Sequence, residues 1–210
     1  MPIVSILDTK SANFHSVKKA VDIYEEDNII TSSKKEVLSS KALIIPGVSS
    51  TDTVLKNIYK SKLDKTILEF YKSGKPILCI CVGMQILFEK SEEGNLPGLG
   101  LVEGEVIKIP EYDNENNRYK IPHMGWNQLE ISRNSKLFSK IQDKSDFYFV
   151  HSFQCIPSKK NIITSKSKYS TEIVGSIEKE NLYAVQFHPE KSSKIGLKIY
   201  ENFINLINRT

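Results

Sequence analysis

The sequence predicts an α/β fold with a largely parallel central sheet flanked by helices, extended by antiparallel strands. Two patterns predict it. In the first half of the chain, continuous apolar β-branched runs alternate with segments of helical period, which is typical of parallel strands covered on both faces. In the second half, short strand-like runs follow one another closely, as they do in antiparallel sheets. A last apolar run and an amphipathic segment return to the first pattern.

Cap and turn residues mark the elements of the first half. Asn13 is a candidate N-cap for a helix whose apolar residues recur at helical spacing, and Pro46-Gly47 ends the third strand. The predicted strands are Ile3–Leu7, Asn28–Thr31, Ala42–Ile45 and Pro76–Ile80, and the predicted helices are Asn13–Tyr24, one or two within Asp52–Tyr71, and Val82–Phe88.

The second half contains shorter elements. The polar segment Glu111–Arg118 has no periodicity and predicts a surface loop. The predicted strands are Val102–Ile109, Trp126–Ile131, Phe147–Val150, Asn161–Thr164, Glu172–Ile177 and Leu182–Phe187, and the last helix is Lys194–Ile207. The chain contains no internal repeat and no linker-like stretch, which predicts a single domain spanning residues 1–210.

Composition and charge exclude several function classes. The net charge of +4 comes from scattered lysines rather than a basic block with interleaved aromatics, which argues against a nucleic-acid partner. No stretch approaches the roughly 20 apolar residues of a membrane span, so no membrane association is expected. We expect a cytoplasmic protein, because the three cysteines form no disulfide framework and no secretory signal precedes the first strand. The histidines and cysteines lack zinc-ligand spacing, so we expect no metal.

A candidate nucleophile follows the fourth predicted strand. Cys81 stands where the strand Pro76–Ile80 turns into a helix, and a helix N-terminus favours a thiolate and points N–H groups at a developing oxyanion. Such a turn requires small residues two positions before and after the nucleophile; Gly83 fits, whereas Cys79 replaces the expected glycine. We interpret Cys79 and Cys155 as buried hydrophobic residues.

A candidate base follows the last predicted strand. Leu182–Phe187 runs into His188-Pro189-Glu190, which supplies an imidazole and, two residues on, a carboxylate able to orient it. A lone histidine here is more often structural, and a lone glutamate is more often a surface residue. Together with Cys81 they supply a nucleophile, a base and an orienting group, the minimum set for acyl transfer through a thioester.

These motifs resemble those of class I (triad) glutamine amidotransferases, which implies a flavodoxin-like parallel sheet. Within that family, further segments resemble the glutaminase subunits of imidazole glycerol phosphate synthases. The segments are Ser91–Gly94, Gly98–Leu101, Pro122–Asn127, Tyr148–Phe153 and Gln186–Ser192, and the resemblance runs in order from about residue 3 to residue 206.

The resemblance implies a glutaminase reaction that needs no cofactor. Cys81 would attack the side-chain amide of L-glutamine, His188 would move the protons, and Glu190 would fix the imidazole tautomer. Water would then release glutamate from a γ-glutamyl thioester. The implied oxyanion donors are the Val82 N–H and the Gly47-Val48 turn, and the implied substrate contacts are Gln85 and the backbone of Ser152 and Phe153.

The resemblance also implies a partner. In this family, ammonia passes to a cyclase subunit, a (β/α)₈ barrel, which forms imidazole glycerol phosphate and an aminoimidazole carboxamide ribotide in histidine biosynthesis. A sealed path avoids protonation of ammonia in neutral water. The implied partner-facing residues of this heterodimer are Pro122, His123, Met124, Gly125, Trp126, Asn127 and Tyr148, with Trp126 as an interface anchor or, alternatively, a core residue.

Two departures from the family pattern leave alternatives open. The family's Asp-Tyr-Gly-x-Gly-Asn after the first strand is Asp8–Asn13 here, without either glycine, and its Pro-Gly-Val-Gly is Pro46–Ser49. Such changes fit a paralogue that supplies ammonia to another acceptor, for instance in acetamidino-sugar formation for a cell-surface polysaccharide. A non-catalytic interaction subunit is a third possibility, against which the three catalytic residue types argue.

Overall fold

The computed structural model describes residues 2–10, 13–132 and 134–207, and it confirms the α/β fold. The first half alternates strands and helices: β1 (Val4–Leu7), α1 (Phe14–Asp22), β2 (Asn28–Thr31), α2 (Lys34–Ser39), β3 (Ala42–Gly47), α3 (Thr51–Lys60), α4 (Leu63–Lys72), β4 (Ile77–Cys81) and α5 (Val82–Gln85). The second half is β5 (Lys90–Ser91), β6 (Gly104–Lys108), β7 (His123–Gln128), β8 (Glu130–Ile131), β9 (Asp146–His151), β10 (Phe153–Pro157), β11 (Ile163–Lys168), β12 (Glu172–Lys179), β13 (Leu182–Val185) and α6 (Ser193–Ile207).

Within the described ranges, the central sheet has the strand order β2-β1-β3-β4-β13-β12-β11-β8. The five strands from β2 to β13 are parallel, and β12, β11 and β8 continue the sheet in antiparallel pairing. Strand β4 lies between β3 and β13, and all three are buried. The carboxyl ends of these three parallel strands therefore meet at one edge, the usual location of a ligand site in such sheets.

Side-chain caps and apolar stripes explain the helices that cover the sheet. The Asn13 side chain accepts a hydrogen bond from the Ser16 N–H and begins α1, as predicted. Helix α1 buries Val17, Ala20 and Val21, which lie on one face. The segment predicted as one or two helices forms two, α3 and α4.

The predicted helix Val82–Phe88 is wrong in its second half, because α5 ends at Gln85. The residues that follow α5 accept hydrogen bonds from a later loop instead. The Leu99 N–H donates to the Ile86 carbonyl at 2.8 Å, and the Gly100 N–H donates to the Phe88 carbonyl at 3.3 Å. A Cβ atom on Gly98 would collide with the Phe88 carbonyl. The apolar residues Ile86–Phe88 are therefore buried by a returning loop and not by a longer helix.

Further differences concern the second half. Helix α2 and strands β5 and β10 were not predicted, the predicted strand Trp126–Ile131 divides into β7 and β8, and only the second half of the predicted strand Asn161–Thr164 belongs to β11. Strands β7 and β9 pair in a separate antiparallel ribbon, and β10, β6 and β5 form a small sheet of their own. The antiparallel extension of the central sheet is therefore smaller than the sequence suggested.

Among the residues described, no helix is both long and apolar enough to cross a membrane. Ala12, which replaces one of the two family glycines, lies outside the described residues. A single domain over residues 1–210 stays a prediction.

Candidate active site

Cys81 ends β4 in a conformation that non-glycine residues rarely adopt, with φ +55° and ψ −110°. The next residue already belongs to α5, so the strand turns sharply into the helix at the thiol. Strained backbone of this kind is concentrated at functional sites. The observed turn is the strand-to-helix corner predicted for a nucleophile.

Gly83 and Cys79 lie two positions after and before Cys81, and both are small and closely packed. A Cβ atom on Gly83 would overlap the carbonyl oxygen of Ile45 on the neighbouring strand, so only glycine allows this close approach. Cys79 is fully buried, and burial raises the pKa of its thiol well above the ordinary value. Cys155 is likewise buried with a raised pKa, so both match the interpretation as hydrophobic residues.

His188 and Glu190 form a buried pair behind the thiol. The Glu190 Oε1 atom lies 2.8 Å from His188 Nδ1, and both side chains are only 2% exposed. Because a carboxylate only accepts, Nδ1 carries the proton and Nε2 is left for the sulfur. Burial disfavours the imidazolium, but the charge and hydrogen bonding of Cys81, together with Glu190, outweigh it and raise the pKa of His188 to about 10. These interactions stabilise the imidazolium form of His188.

Gln186 is a site residue that the sequence analysis did not single out. Its Nε2 donates to the Cys81 sulfur at 3.6 Å, and its Oε1 accepts from Gln85 Nε2 at 3.1 Å. Its side chain is fully buried, which is unusual for a glutamine unless its amide is hydrogen-bonded. The sequence did contain a signal for this residue, because a glutamine ends the buried apolar run two residues before His188.

A cleft of about 480 Å³ opens beside the thiol. It is lined by Val48, Ser49, Ser50, Cys81, Val82, Gln85, Glu93, Pro122, Val150, His151, Ser152, Phe153, His188 and Lys191. The structure thus brings together the predicted nucleophile, base, substrate contacts and Val82. Gly47 stands beside the cleft, paired in register with Cys81, and Glu190 supports His188 from behind.

The turn after β3 contacts the start of α5. A Cβ atom on Gly47 would lie 2.9 Å from the Val82 Cβ, so glycine permits the backbone to approach the nucleophile corner. Ser49, which replaces a family glycine, buries its Oγ without a hydrogen-bond partner among the described residues.

Comparison with known proteins identifies the family. The model of the family "Glutamine amidotransferase class-I" matches residues 6–206. The chain belongs to the class I glutamine amidotransferases.

Relatives within this family share about two residues in five with the chain. It is 42% identical over 206 residues to "Imidazole glycerol phosphate synthase subunit HisH" of Methanocaldococcus jannaschii, covering 98% of this chain and 100% of that protein. It is 42% identical over 209 residues to the subunit of the same name of Pelagibacter ubique, covering 97% and 99%. A third relative, "Imidazole glycerol phosphate synthase subunit HisH 1" of Campylobacter jejuni, is 41% identical over 206 residues, covering 97% and 100%.

Solved structures show the same fold at low sequence identity. "Structure of PurLQS from Thermotoga maritima" superimposes with a TM-score of 0.72 at 17% identity, covering 98% of both chains. "Trypanosoma brucei CTPS - glutaminase domain with bound acivicin" has a TM-score of 0.69 at 16% identity, covering 100% of this chain and 95% of the other. The fold of the amidotransferase is therefore that of its family.

Of the predicted partner-facing residues of this amidotransferase, Pro122 lies just before β7 and lines the cleft, and the others lie on the β7–β9 ribbon. Met124 and Trp126 are 61% and 55% exposed, so the alternative that Trp126 is a core residue is wrong. The prediction is also wrong for the side chain of His123, which is 2% exposed. Successive side chains of a strand point to opposite faces, and the residue pattern of β7 puts His123 on the buried face.

Two charged residues of the cleft were not predicted to be part of the amidotransferase site. The Glu93 carboxylate accepts from the Thr51 N–H at 2.7 Å, and the Lys191 ammonium lies 5.9 Å from the Tyr148 ring centroid. Glu93 falls within Ser91–Gly94 and Lys191 within Gln186–Ser192, so both segments carried a signal. Across the described ranges, no group of His, Cys, Asp and Glu has the arrangement of a metal site.

Proposed function

We propose that this amidotransferase is the glutaminase subunit of an imidazole glycerol phosphate synthase, supplying ammonia for histidine biosynthesis. The observation that best supports this reaction is the buried catalytic arrangement of Cys81, at its strained turn, with the His188–Glu190 pair. The relatives named above are subunits of that synthase at about 40% identity over nearly the whole chain, which favours this acceptor over a sugar-modifying one.

Glutamine would bind with its side-chain amide at the Cys81 sulfur. The residues that line the cleft include the Glu93 carboxylate, an acceptor for the α-ammonium group of glutamine, and the Lys191 ammonium, a cation for its α-carboxylate. Gln85 holds the Phe153 carbonyl at 3.1 Å, which fixes one wall of the cleft. Neither a metal nor an organic cofactor has a step in this hydrolysis.

The reaction would proceed through a thioester. The Cys81 thiolate attacks the amide carbon, and the oxygen that becomes negative is stabilised by the Val82 N–H and by the turn at Gly47-Val48. The His188 imidazolium then protonates the leaving nitrogen, and ammonia departs as the thioester forms. The neutral imidazole next takes a proton from the water that attacks the thioester carbon, and cleavage of the C–S bond releases glutamate and regenerates the thiolate and the imidazolium. Glu190 keeps Nδ1 protonated throughout.

Ammonia would then pass to a cyclase subunit of (β/α)₈-barrel type. The exposed face of the ribbon carries two large apolar side chains, Met124 and Trp126, which such a partner can cover. Because ammonia is mostly protonated in neutral water, a covered exit preserves its nucleophilicity. We propose the heterodimer as the working unit.

Glutamine labelled with ¹⁵N at the side-chain amide tests this function. The chain is mixed with the cyclase subunit from the same genome and the ribotide substrate, and ¹⁵N is followed into the imidazole ring by mass spectrometry. We expect labelled imidazole glycerol phosphate with the native chain and none with Cys81→Ala. Glutamate formation without ring labelling would favour another acceptor, and the absence of both would leave the scaffold interpretation.

A further inference from the structure

Two buried histidines with no step in the proposed reaction lie between the ribbon and the cleft. His123 on β7 and His151 at the end of β9 face each other in the strand register. Their side chains are in direct contact, with 3.0 Å between His123 Nδ1 and His151 Nε2. His151 lines the cleft, whereas His123 is set back from it. A pair of buried imidazoles is an uncommon way to fill a core, and each nitrogen needs a partner.

The neighbours of the pair fix which nitrogen carries each proton. The Asn127 amide donates from Nδ2 to the Lys168 carbonyl at 2.8 Å, and its Oδ1 accepts from the Gln128 N–H. The same Nδ2 faces His123 Nε2 at 3.2 Å, so that nitrogen must accept. His123 therefore carries its proton on Nδ1 and donates it to His151 Nε2. His151 carries its own proton on Nδ1 and donates it to the Phe153 carbonyl at 2.8 Å.

Both imidazoles are neutral at physiological pH, as this arrangement requires. Burial lowers the pKa of His123 to about 4 and that of His151 to about 3. The His123 ring is also held in place by stacking, with its centroid 4.8 Å from that of Phe149 and 4.1 Å from that of Tyr169. A rigid ring with one fixed tautomer transmits a change of position better than a mobile side chain does.

The hydrogen bonds end at a carbonyl that belongs to the substrate site. The Phe153 oxygen accepts from both His151 Nδ1 and Gln85 Nε2, and Gln85 also donates to Gln186, which contacts the Cys81 sulfur. The other end of the series, Asn127, lies on β7 next to the exposed Trp126. The series therefore spans the distance from the partner-facing ribbon to the wall of the cleft.

We propose that His123 and His151 are positioning residues, which fix the Phe153 carbonyl and Gln85 for glutamine and make their placement depend on the ribbon. The proposal rests on the proposed function, because it takes glutamine as the occupant of the cleft. A merely structural role, in which the pair only fills the core, is the competing explanation.

Two alkylating probes separate these explanations in the isolated chain. The glutamine analogue 6-diazo-5-oxonorleucine must be recognised by the cleft before it modifies Cys81, whereas iodoacetamide needs only the thiolate. His151→Phe removes the donor to Phe153 and the acceptor for His123. We expect the second-order rate for the analogue to fall about tenfold, as for one lost hydrogen bond, and the iodoacetamide rate to stay within about twofold.

A conservative substitution of His151 and a double-mutant cycle with Asn127 test the positioning role further. His151→Asn keeps an N–H donor near the Nδ1 position and should restore most of the analogue rate. Asn127→Leu should slow the analogue about threefold in the native background and have no further effect in the His151→Asn background, where the link to His123 is already cut. As a matched control, Asn181→Ala removes two side-chain bonds to the Tyr71 and Lys75 carbonyls at the opposite edge of the sheet and should leave both rates unchanged.

The outcomes distinguish this proposal from the proposed function. Equal loss of both rates in His151→Phe, or no loss of either, would overturn the positioning role and leave the glutaminase site intact. Additive effects of Asn127→Leu and His151→Asn would overturn the dependence on the ribbon. A native chain that reacts with iodoacetamide but is not modified by the analogue would overturn the glutamine site itself, and the positioning role with it.

Discussion

The Gln186 amide donates a hydrogen bond to the Cys81 sulfur at 3.6 Å, although 105 residues separate them along the chain. The bond joins the last residue of β4 to the residue that follows β13, and β4 and β13 pair in parallel. A donor to sulfur stabilises the thiolate, which is the nucleophilic form. Gln186 therefore acts on the same atom as His188, but its amide cannot exchange protons.

Replacing Gln186 by methionine should slow the chemistry of the thiol. Methionine preserves the volume and loses the donor, and a hydrogen bond to a charged group is worth about 1.5 kcal/mol, or roughly tenfold in rate. We expect the rate of iodoacetamide alkylation at neutral pH to fall by about that factor. Cys81→Ala provides the background from the buried Cys79 and Cys155. An unchanged rate would show that the amide only fills space.

Replacing Glu190 by glutamine should remove the control of the His188 tautomer. The same change in a Ser-His-Asp triad lowers kcat about 10⁴-fold, and we expect a loss of about 10³- to 10⁴-fold here. Glu190 also helps to raise the pKa of His188, so the pKa should fall and the basic limb of the kcat/KM profile should move to lower pH. Tyr200→Phe removes only a 3.4 Å contact to Oε2 and should cost less than about threefold. A comparable loss in both variants would contradict the tautomer argument.

The sequence predicted the reaction better than it predicted the local structure around it. The nucleophile and base follow buried apolar strands whose pattern is strong, so Cys81 and His188 were found at the carboxyl ends of β4 and β13. The short ribbon and small sheet were not recognised, because their pairing depends on partners distant in sequence. Glu93 and Lys191 were missed as site residues because only the fold brings them to the cleft, and Gln186 was missed because only the fold places its amide against the Cys81 sulfur.

One departure from the family pattern has a visible structural consequence. Lys10 occupies a family glycine position and adopts φ +56°, a left-handed conformation that costs a non-glycine residue about 1 kcal/mol. Its N–H bonds to the Asp8 carboxylate at 2.8 Å, which helps to hold the turn. The left-handed turn that glycine favours is thus formed at Lys10 without the glycine.

Acidification should destabilise the protein through the two buried histidines. Burial lowers the pKa values of His123 and His151 to about 4 and about 3, whereas in the unfolded chain they lie near 6.5. Below pH 6.5 the unfolded state therefore binds protons that the folded state does not, so the free energy of unfolding falls as the pH drops toward 4. The slope is about 1.4 kcal/mol per pH unit for each histidine.

Urea denaturation between pH 7 and pH 4.5 measures this slope. We expect His151→Asn to reduce it by about half, because one of the two titrating groups is gone. His15→Asn, which changes an exposed histidine on α1, should leave it unchanged. Equal slopes in the native chain and in His151→Asn would mean that other groups cause the acid sensitivity.

An alanine at Gly83 should destabilise the nucleophile corner. The new Cβ would overlap the Ile45 carbonyl, a backbone atom fixed in the sheet, so we expect a loss of more than about 3 kcal/mol of unfolding free energy. Gly74→Ala is the matched control: its φ of +76° makes alanine strained, but no atom lies within 4 Å of the new Cβ. We expect about 1 kcal/mol there. Similar losses in urea denaturation would contradict the steric argument.

Trp126 should be an anchor for the cyclase subunit. Its ring stands 55% exposed on the ribbon and contacts the Tyr148 ring edge-to-face at 6.0 Å, an arrangement that holds a large apolar group ready for a partner. Interface tryptophans often contribute about 2 kcal/mol, so Trp126→Ala should raise the Kd for the cyclase about 30-fold in calorimetry. Tyr112→Ala, at an aromatic residue 50% exposed in the polar loop, is the control and should leave the Kd unchanged. Because Trp126 does not line the cleft, Trp126→Ala should leave alkylation of Cys81 in the isolated chain unaffected. Equal effects of Trp126→Ala and Tyr112→Ala on the Kd would place the partner elsewhere.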